Sequence, residues 1–105
     1  MKVVLAGSAV TLPHVGPGAA RYNLALGCLE AALRHRVPGV EVERREFPVV
    51  LDEPRYPDDA AARILASGPD LVGISTYCWD LDAARELIPR LAAEAPGLPI
   101  VLGGP

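Results

Sequence analysis

Residues 74–80 read "ISTYCWD", crowding two hydroxyls, a phenol, a thiol and the chain's only tryptophan behind the apolar run Leu71-Val72-Gly73-Ile74. Ser75 and Thr76 supply hydrogen-bond donors and acceptors there, and Tyr77 and Trp79 supply broad apolar faces. Two other groups resemble this one in placement. Gly103-Gly104 follows the apolar "LPIVL" and removes side chains, so that a flat group can lie against backbone. Gly7-Ser8 follows the first apolar run. If the three meet, they describe a slot for a large, partly aromatic ligand, where a small anion would need less. Singly, each has a plainer reading. The glycine pair makes a tight turn, and Trp79 packs its helix onto a sheet. His14, in "LPHVGPG", reads as a solvated loop histidine, and His35 as a residue favouring a helix end. Asp58 and Asp59 read as helix-start residues, and Tyr22 as a packing residue or a lid. The coincidence of three such groups at one sheet end is what favours binding.

The elements that must carry these groups follow from periodicity. Lys2 to Ala6 reads as a short strand, and Gly7 to Ala20 as a long Pro/Gly loop of a length that often carries function. "YNLALGCLEAALRHR", residues 22–36, reads as a helix with Asn23 as its cap, stopped by Pro38-Gly39. Its small residues Ala25, Gly27 and Cys28 would let a ligand approach its backbone. Val40 to Val50 opens with the alternation "VEVE" of a partly solvated edge strand. A second helix runs through "AAARILAS" and closes at Gly68. Asp70 to Ser75 is the third strand. Asp80 to Ala95 is a third helix, capped by Asp80 or Asp82 and interrupted by Pro89. Leu98 to Leu102 is the fourth strand.

This order predicts an α/β fold: a Rossmann-like (flavodoxin-like) open parallel sheet with helices on both faces. In such sheets ligands bind beyond the carboxyl ends of the strands, near the switch in strand order. The three groups above converge there. The fourth strand is apolar on both faces, as interior strands are, with nothing after it to cover its outer side. That predicts a fold truncated after the fourth strand, lacking at least one further strand and helix.

Composition narrows the class. The 105 residues carry a net charge of -3 and are half hydrophobic, which indicates one small globular domain. Nine of the ten basic residues are arginines scattered along the chain, so no stripe points to nucleic acid. No segment is long and apolar enough to span a bilayer. "MKVVLAGSAVTL" reads as a strand rather than a signal peptide, because it breaks at Gly7-Ser8 and lacks a cleavage site. Cys28 and Cys78 predict buried thiols in a reducing compartment, and the cytoplasm is the expected location. No metal site is indicated.

Common ligand motifs are absent. A dinucleotide fingerprint would need a third glycine where Arg21 stands, and no Gly-Lys-Ser/Thr phosphate loop occurs. A phospho-receiver would end strand three on an aspartate, where this chain has Ser75. No Ser-His-Asp or Cys-His pairing has supporting context.

"RYNLALGCLEAALRH", "PDLVGISTYCWD" and "LPIVLGGP", in that order, resemble the N-terminal cobalamin-binding domain that precedes the barrel of cobalamin-dependent radical SAM enzymes. The resemblance spans essentially the whole chain, so that residues 1–105 would be the N-terminal part of that domain. It implies that the cofactor's dimethylbenzimidazole tail is buried between sheet and helices, lined by Ser75, Tyr77, Gly103 and Gly104, with Gly7, Ser8, Gly27, Thr76 and Trp79 nearby. It also implies a partner radical SAM domain of the same polypeptide, with a [4Fe-4S] cluster and S-adenosylmethionine. The chain alone would be a cofactor-binding module, and methylation of an unactivated carbon the parent reaction. Methionine synthase and the carbon-skeleton mutases carry Asp-x-His-x-x-Gly after strand one, whose histidine ligates cobalt. Here Leu12 stands at the aspartate and Pro17 at the glycine, so His14 lacks that context. The lower cobalt face would be left open, to water, or beneath a side chain from the strand-three exit, with Tyr77 or Trp79 near that face and not bonded to cobalt. Two other readings stay open: an α/β regulatory or interaction module without cofactor, and a nucleotide-binding fragment of a flavodoxin-like enzyme.

Overall fold

The computed structural model describes residues 1–11, 23–50 and 55–104. Its elements are β1 (Lys2–Thr11), α1 (Leu24–Arg36), β2 (Glu41–Val50), α2 (Ala60–Leu65), β3 (Leu71–Ser75), α3 (Leu81–Glu94) and β4 (Ile100–Gly103). The strands form one parallel sheet in the order β2-β1-β3-β4. From β1 the chain moves outward to β2, then crosses back to lay β3 on the other side of β1. The switch in direction therefore falls between β1 and β3, where ligand-binding clefts open in such sheets.

Alternation of side chains sorts the core onto two faces. Val4, Ala6, Phe47, Val49, Val72 and Ile74 turn toward α2 and α3, where Ala60, Ile64, Leu87 and Leu91 cover them. Burial of each large side chain there stabilises by about 1.5–3 kcal/mol. Val3, Leu5 and Val42 turn the other way, against Leu26 of α1. The sheet is thus flanked by helices on both faces, one on the first and two on the second.

Several local expectations change. β1 runs on to Thr11 instead of ending at Ala6, because Gly7 to Thr11 pair in register with Glu46 to Val50. The apolar, β-branched end of β2 gives that extension a partner. Asn23 caps α1, its Oδ1 accepting the Leu26 N–H at 3.2 Å. Asp80 stands at the N-cap of α3 without a side-chain cap bond, because its carboxylate is engaged elsewhere. Asp59, likewise, makes no side-chain cap bond to α2. Pro89 lies on the exposed side of an unbroken α3. Cys28 and Cys78 are both exposed, not buried: one lies on the outer side of α1, the other in the turn after β3. β4 forms the edge opposite β2, with Val101 and Leu102 more than half exposed (53 % and 54 %). His14, Tyr22 and most of the loop after β1 lie outside the described residues. No helix among the described residues is long and apolar enough to cross a membrane.

Candidate functional site at the carboxyl end of the sheet

Register explains why the strand ends meet. Leu5 pairs with Gly73 and Gly73 with Val101; one row further, Ser75 pairs with Gly103. These residues face the α1 side, where Gly73 and Gly103 present no side chain on β3 and β4. A cavity of about 430 Å³ opens above them, within the roughly 300–1,000 Å³ of small-molecule sites. Its floor is Val3, Leu5, Leu71 and Gly73, and its wall is Leu26, Leu29 and Leu33 of α1. Ser75, Tyr77, Gly103 and Gly104 close its carboxyl end. The helical wall is fastened to the sheet edge, since Arg34 donates to the Val42 carbonyl at 2.8 Å and Arg44 pairs with Glu30 at 2.6 Å. That partly exposed ion pair contributes at most about 1 kcal/mol.

The polar atoms in this cavity are few, and one stands out. The Ser75 Oγ is buried and has no hydrogen-bond partner among the described residues. An unpaired buried hydroxyl costs about 1–3 kcal/mol unless something satisfies it. The glycines differ in what they allow. A side chain at Gly104 would fall on the Thr76 carbonyl, and one at Gly7 would press on Asn23, Leu26 and Ser75 at about 3 Å. At Gly103 nothing lies within 4 Å of the place a Cβ would take, so its bareness serves no internal contact. Thr76 ties β4 in place, with its N–H and its hydroxyl both donating to the Gly103 carbonyl at 2.7 and 3.2 Å.

A second cavity of about 300 Å³ lies beside the first, lined by Ser8, Val10, Asn23, Leu24, Ala25, Tyr77 and Trp79. Tyr77 and Ala25 border both. The Tyr77 and Trp79 rings stack with centroids 4.6 Å apart and planes 7° from parallel. Beneath them Asp80, fully buried, accepts the Ser8 Oγ–H at 2.7 Å and the Tyr77 N–H at 2.6 Å.

Of the nine residues singled out in the sequence, Ser75, Tyr77, Gly103 and Gly104 line the larger cavity, and Ser8 and Trp79 line the smaller with Tyr77. Gly7 lies beneath Asn23 and Leu26, and Thr76 is turned to β4. Gly27 is not brought to either cavity; a side chain there would meet the Arg44 guanidinium at 3.4 Å. Of the small face of α1, Ala25 alone reaches the cavities. Sequence reasoning missed the leucine wall, whose spacing at 26, 29 and 33 was the available signal, and it missed the bonds made by Asp80. Among the described residues no group of three or more His, Cys, Asp or Glu side chains could hold a metal ion.

A cobalamin nucleotide tail makes three demands: an apolar trough for a flat base, a polar atom to meet it, and strand ends without side chains in its way. The leucine-walled cavity, the orphaned Ser75 hydroxyl and the open place at Gly103 meet them. No curated protein and no solved structure matches the chain. Residues 18–105, which include α1, β3, β4 and every residue lining the larger cavity except those of β1, match the family model of the B12 binding domain, and the chain belongs to that family.

Proposed function

We propose that this chain holds cobalamin for a radical SAM enzyme, with the nucleotide tail in the larger cavity. The observation that carries the cofactor reading is the unsatisfied Ser75 hydroxyl opposite the vacant side-chain place at Gly103. The tail's flat base would lie against Leu5, Gly73 and Val101, with α1 leucines above it and a polar atom in reach of Ser75. Burying an apolar ring against such a wall contributes about 25 cal/mol per Å² of area removed from water. Tyr77 and Trp79 would stand beside the corrin ring without ligating cobalt. Bound cobalamin would supply a cobalt centre able to carry a methyl group, and the protein would orient it and exclude water.

The finer assignment is supported by the resemblance of "DLVGISTYCWD" and "LPIVLGGP" to domains that precede a radical SAM barrel. In this reading the partner domain, a [4Fe-4S] cluster and S-adenosylmethionine belong to the same cytoplasmic polypeptide, and an unactivated carbon is methylated. Two cysteines cannot provide the Cys-x-x-x-Cys-x-x-Cys cluster site, so it would lie outside these residues.

Incubation of the purified chain with hydroxocobalamin, followed by desalting, tests the cofactor reading. Retained corrinoid with a shifted absorption spectrum is expected, and a colourless protein would overturn it in favour of a regulatory module. A spectrum showing nitrogen ligation that His14→Ala abolishes would overturn a lower face without a histidine ligand. Sequencing the coding region past Pro105 tests the radical SAM assignment, which fails if no Cys-x-x-x-Cys-x-x-Cys motif follows.

A further inference from the structure

Asp80 is the one acidic side chain buried among the described residues, with none of its surface exposed. A buried carboxylate is costly unless its oxygens are met by donors. Here both are met: Oδ2 accepts the Ser8 hydroxyl of β1, and Oδ1 accepts the Tyr77 N–H in the turn leaving β3. Its own N–H donates to the Tyr77 carbonyl at 3.2 Å, and its carbonyl accepts the Ala84 N–H of α3 at 2.9 Å. One residue therefore binds a strand tip, a turn and a helix start. The carboxylate does not cap α3, so helix formation alone does not account for it. What it holds is the backbone from which the stacked Tyr77 and Trp79 rings spring.

We propose that Asp80 is a positioning residue whose buried carboxylate, braced by Ser8, sets where the Tyr77–Trp79 pair stands between the two cavities. Residue 78 and the two rings sit in a turn that has lost the strand ladder, so its course depends on the bonds closed across it. Without the carboxylate, the Tyr77 N–H loses its acceptor and β1 loses its link to the turn. The stacked pair then swings outward, Trp79 first, because it is already 39 % exposed. This placement is a property of the protein itself; only its consequence for a bound corrinoid rests on the cobalamin reading.

Trp79 is the only tryptophan, so its fluorescence reports the pair directly in the full chain. Asp80→Ala is expected to raise acrylamide quenching of Trp79 roughly twofold, toward full exposure from the present 39 %. It should also erase the near-ultraviolet circular dichroism of the stacked rings. Asp80→Asn is expected to restore both signals, since its amide oxygen accepts the Tyr77 N–H and its amide group donates to the Ser8 oxygen. Ser8→Ala is expected to give a smaller rise. Leu91→Ala, which opens the core under α3 without touching the turn, should leave both signals unchanged. A folded Asp80→Ala chain with parental quenching and dichroism would overturn the proposal. So would an equal response in Leu91→Ala, which would reduce the effect to general loosening. If Asp80→Ala does not fold, Ser8→Ala decides, and unchanged Trp79 signals there would also overturn it. In chains loaded with hydroxocobalamin, Asp80→Ala should shift the corrinoid spectrum and Asp80→Asn should not. A parent chain that retains no corrinoid sinks the cofactor reading while the fluorescence still judges Asp80.

Discussion

On the face under α2 and α3, β1 and β3 turn inward Val4, Ala6, Val72 and Ile74; on the face under α1 they turn inward Val3, Leu5, Leu71 and Gly73. The strands are the same and the backbone is the same, yet one face is filled and the other is not. Phe47, Ile64, Leu87 and Leu91 close the first without a sizeable void. The second carries glycines at 73 and 103 on two adjacent strands where the cavity opens, and a single helix that packs on Val3, Leu5 and Val42 through Leu26. Close packing on one face supplies the stability that lets the other stay open. The larger cavity is therefore a designed absence of side chains, set against a face that tolerates none.

The strongest way to break this contrast is to remove bulk from each face in turn. Phe47→Ala, at a fully buried site packed against Tyr56 and under Arg63, is expected to cost about 3–5 kcal/mol. A domain of this size has about 5–15 kcal/mol in total, so that variant should lose a large share of its stability. Leu29→Ala, on the cavity wall and half exposed, should cost under about 1 kcal/mol. Chemical denaturation of the two variants checks it. Equal losses would mean that the α1 face is as tightly packed as the other.

Much of this division was visible in the sequence, because period-two alternation and helical spacing mark which residues turn inward. The meeting of Ser75 with Gly103 was legible for the same reason: both end apolar strands, and a parallel sheet aligns strand ends. The extension of β1 was not, since Gly7-Ser8 reads locally as a break and only pairing with Glu46 and Phe47 makes it strand. The two exposed thiols were misread because cysteine is usually buried, and the helix side that shows Cys28 is decided by packing. Asp80 looked like a helix cap because its partner Ser8 lies 72 residues away. No local pattern encodes a bond of that reach.

Filling the open face sharpens the contrast from the other direction. Gly103→Leu places a Cβ where nothing now lies within 4 Å and turns the rest of the side chain toward the cavity, so folding stability should stay within about 0.5 kcal/mol of the parent. Corrinoid retention should fall at least about tenfold, equivalent to roughly 1.4 kcal/mol. Equilibrium dialysis with hydroxocobalamin beside a thermal melt separates the two effects. Retention unchanged in Gly103→Leu would place the tail elsewhere.

The finest comparison lies between two orphaned hydroxyls, one on each face: Ser75 on the open side and Tyr56 in the closed core. Ser75→Ala should leave stability equal or up by about 1 kcal/mol, yet weaken corrinoid retention by roughly two- to tenfold, the worth of one hydrogen bond. Tyr56→Phe should leave retention untouched. At neutral pH its stability should also lie within about 1 kcal/mol of the parent, since the lost hydroxyl had no partner among the described residues. Its signature is alkaline. Burial first, and the Asp80 charge second, push the Tyr56 phenol well above its ordinary value. The unfolded chain therefore releases this proton near pH 10 while the folded chain keeps it, so stability is intact below pH 10 and falls as pH rises above it. The slope is about 1.4 kcal/mol per pH unit for one proton. Denaturation midpoints of the parent measured across pH 9 to 11.5 should carry this limb, and the difference between parent and Tyr56→Phe should isolate it from the other titrating groups. A parent and variant that decline together would show that the Tyr56 phenol reaches water, and the face under α2 and α3 would then be less closed than its partner demands.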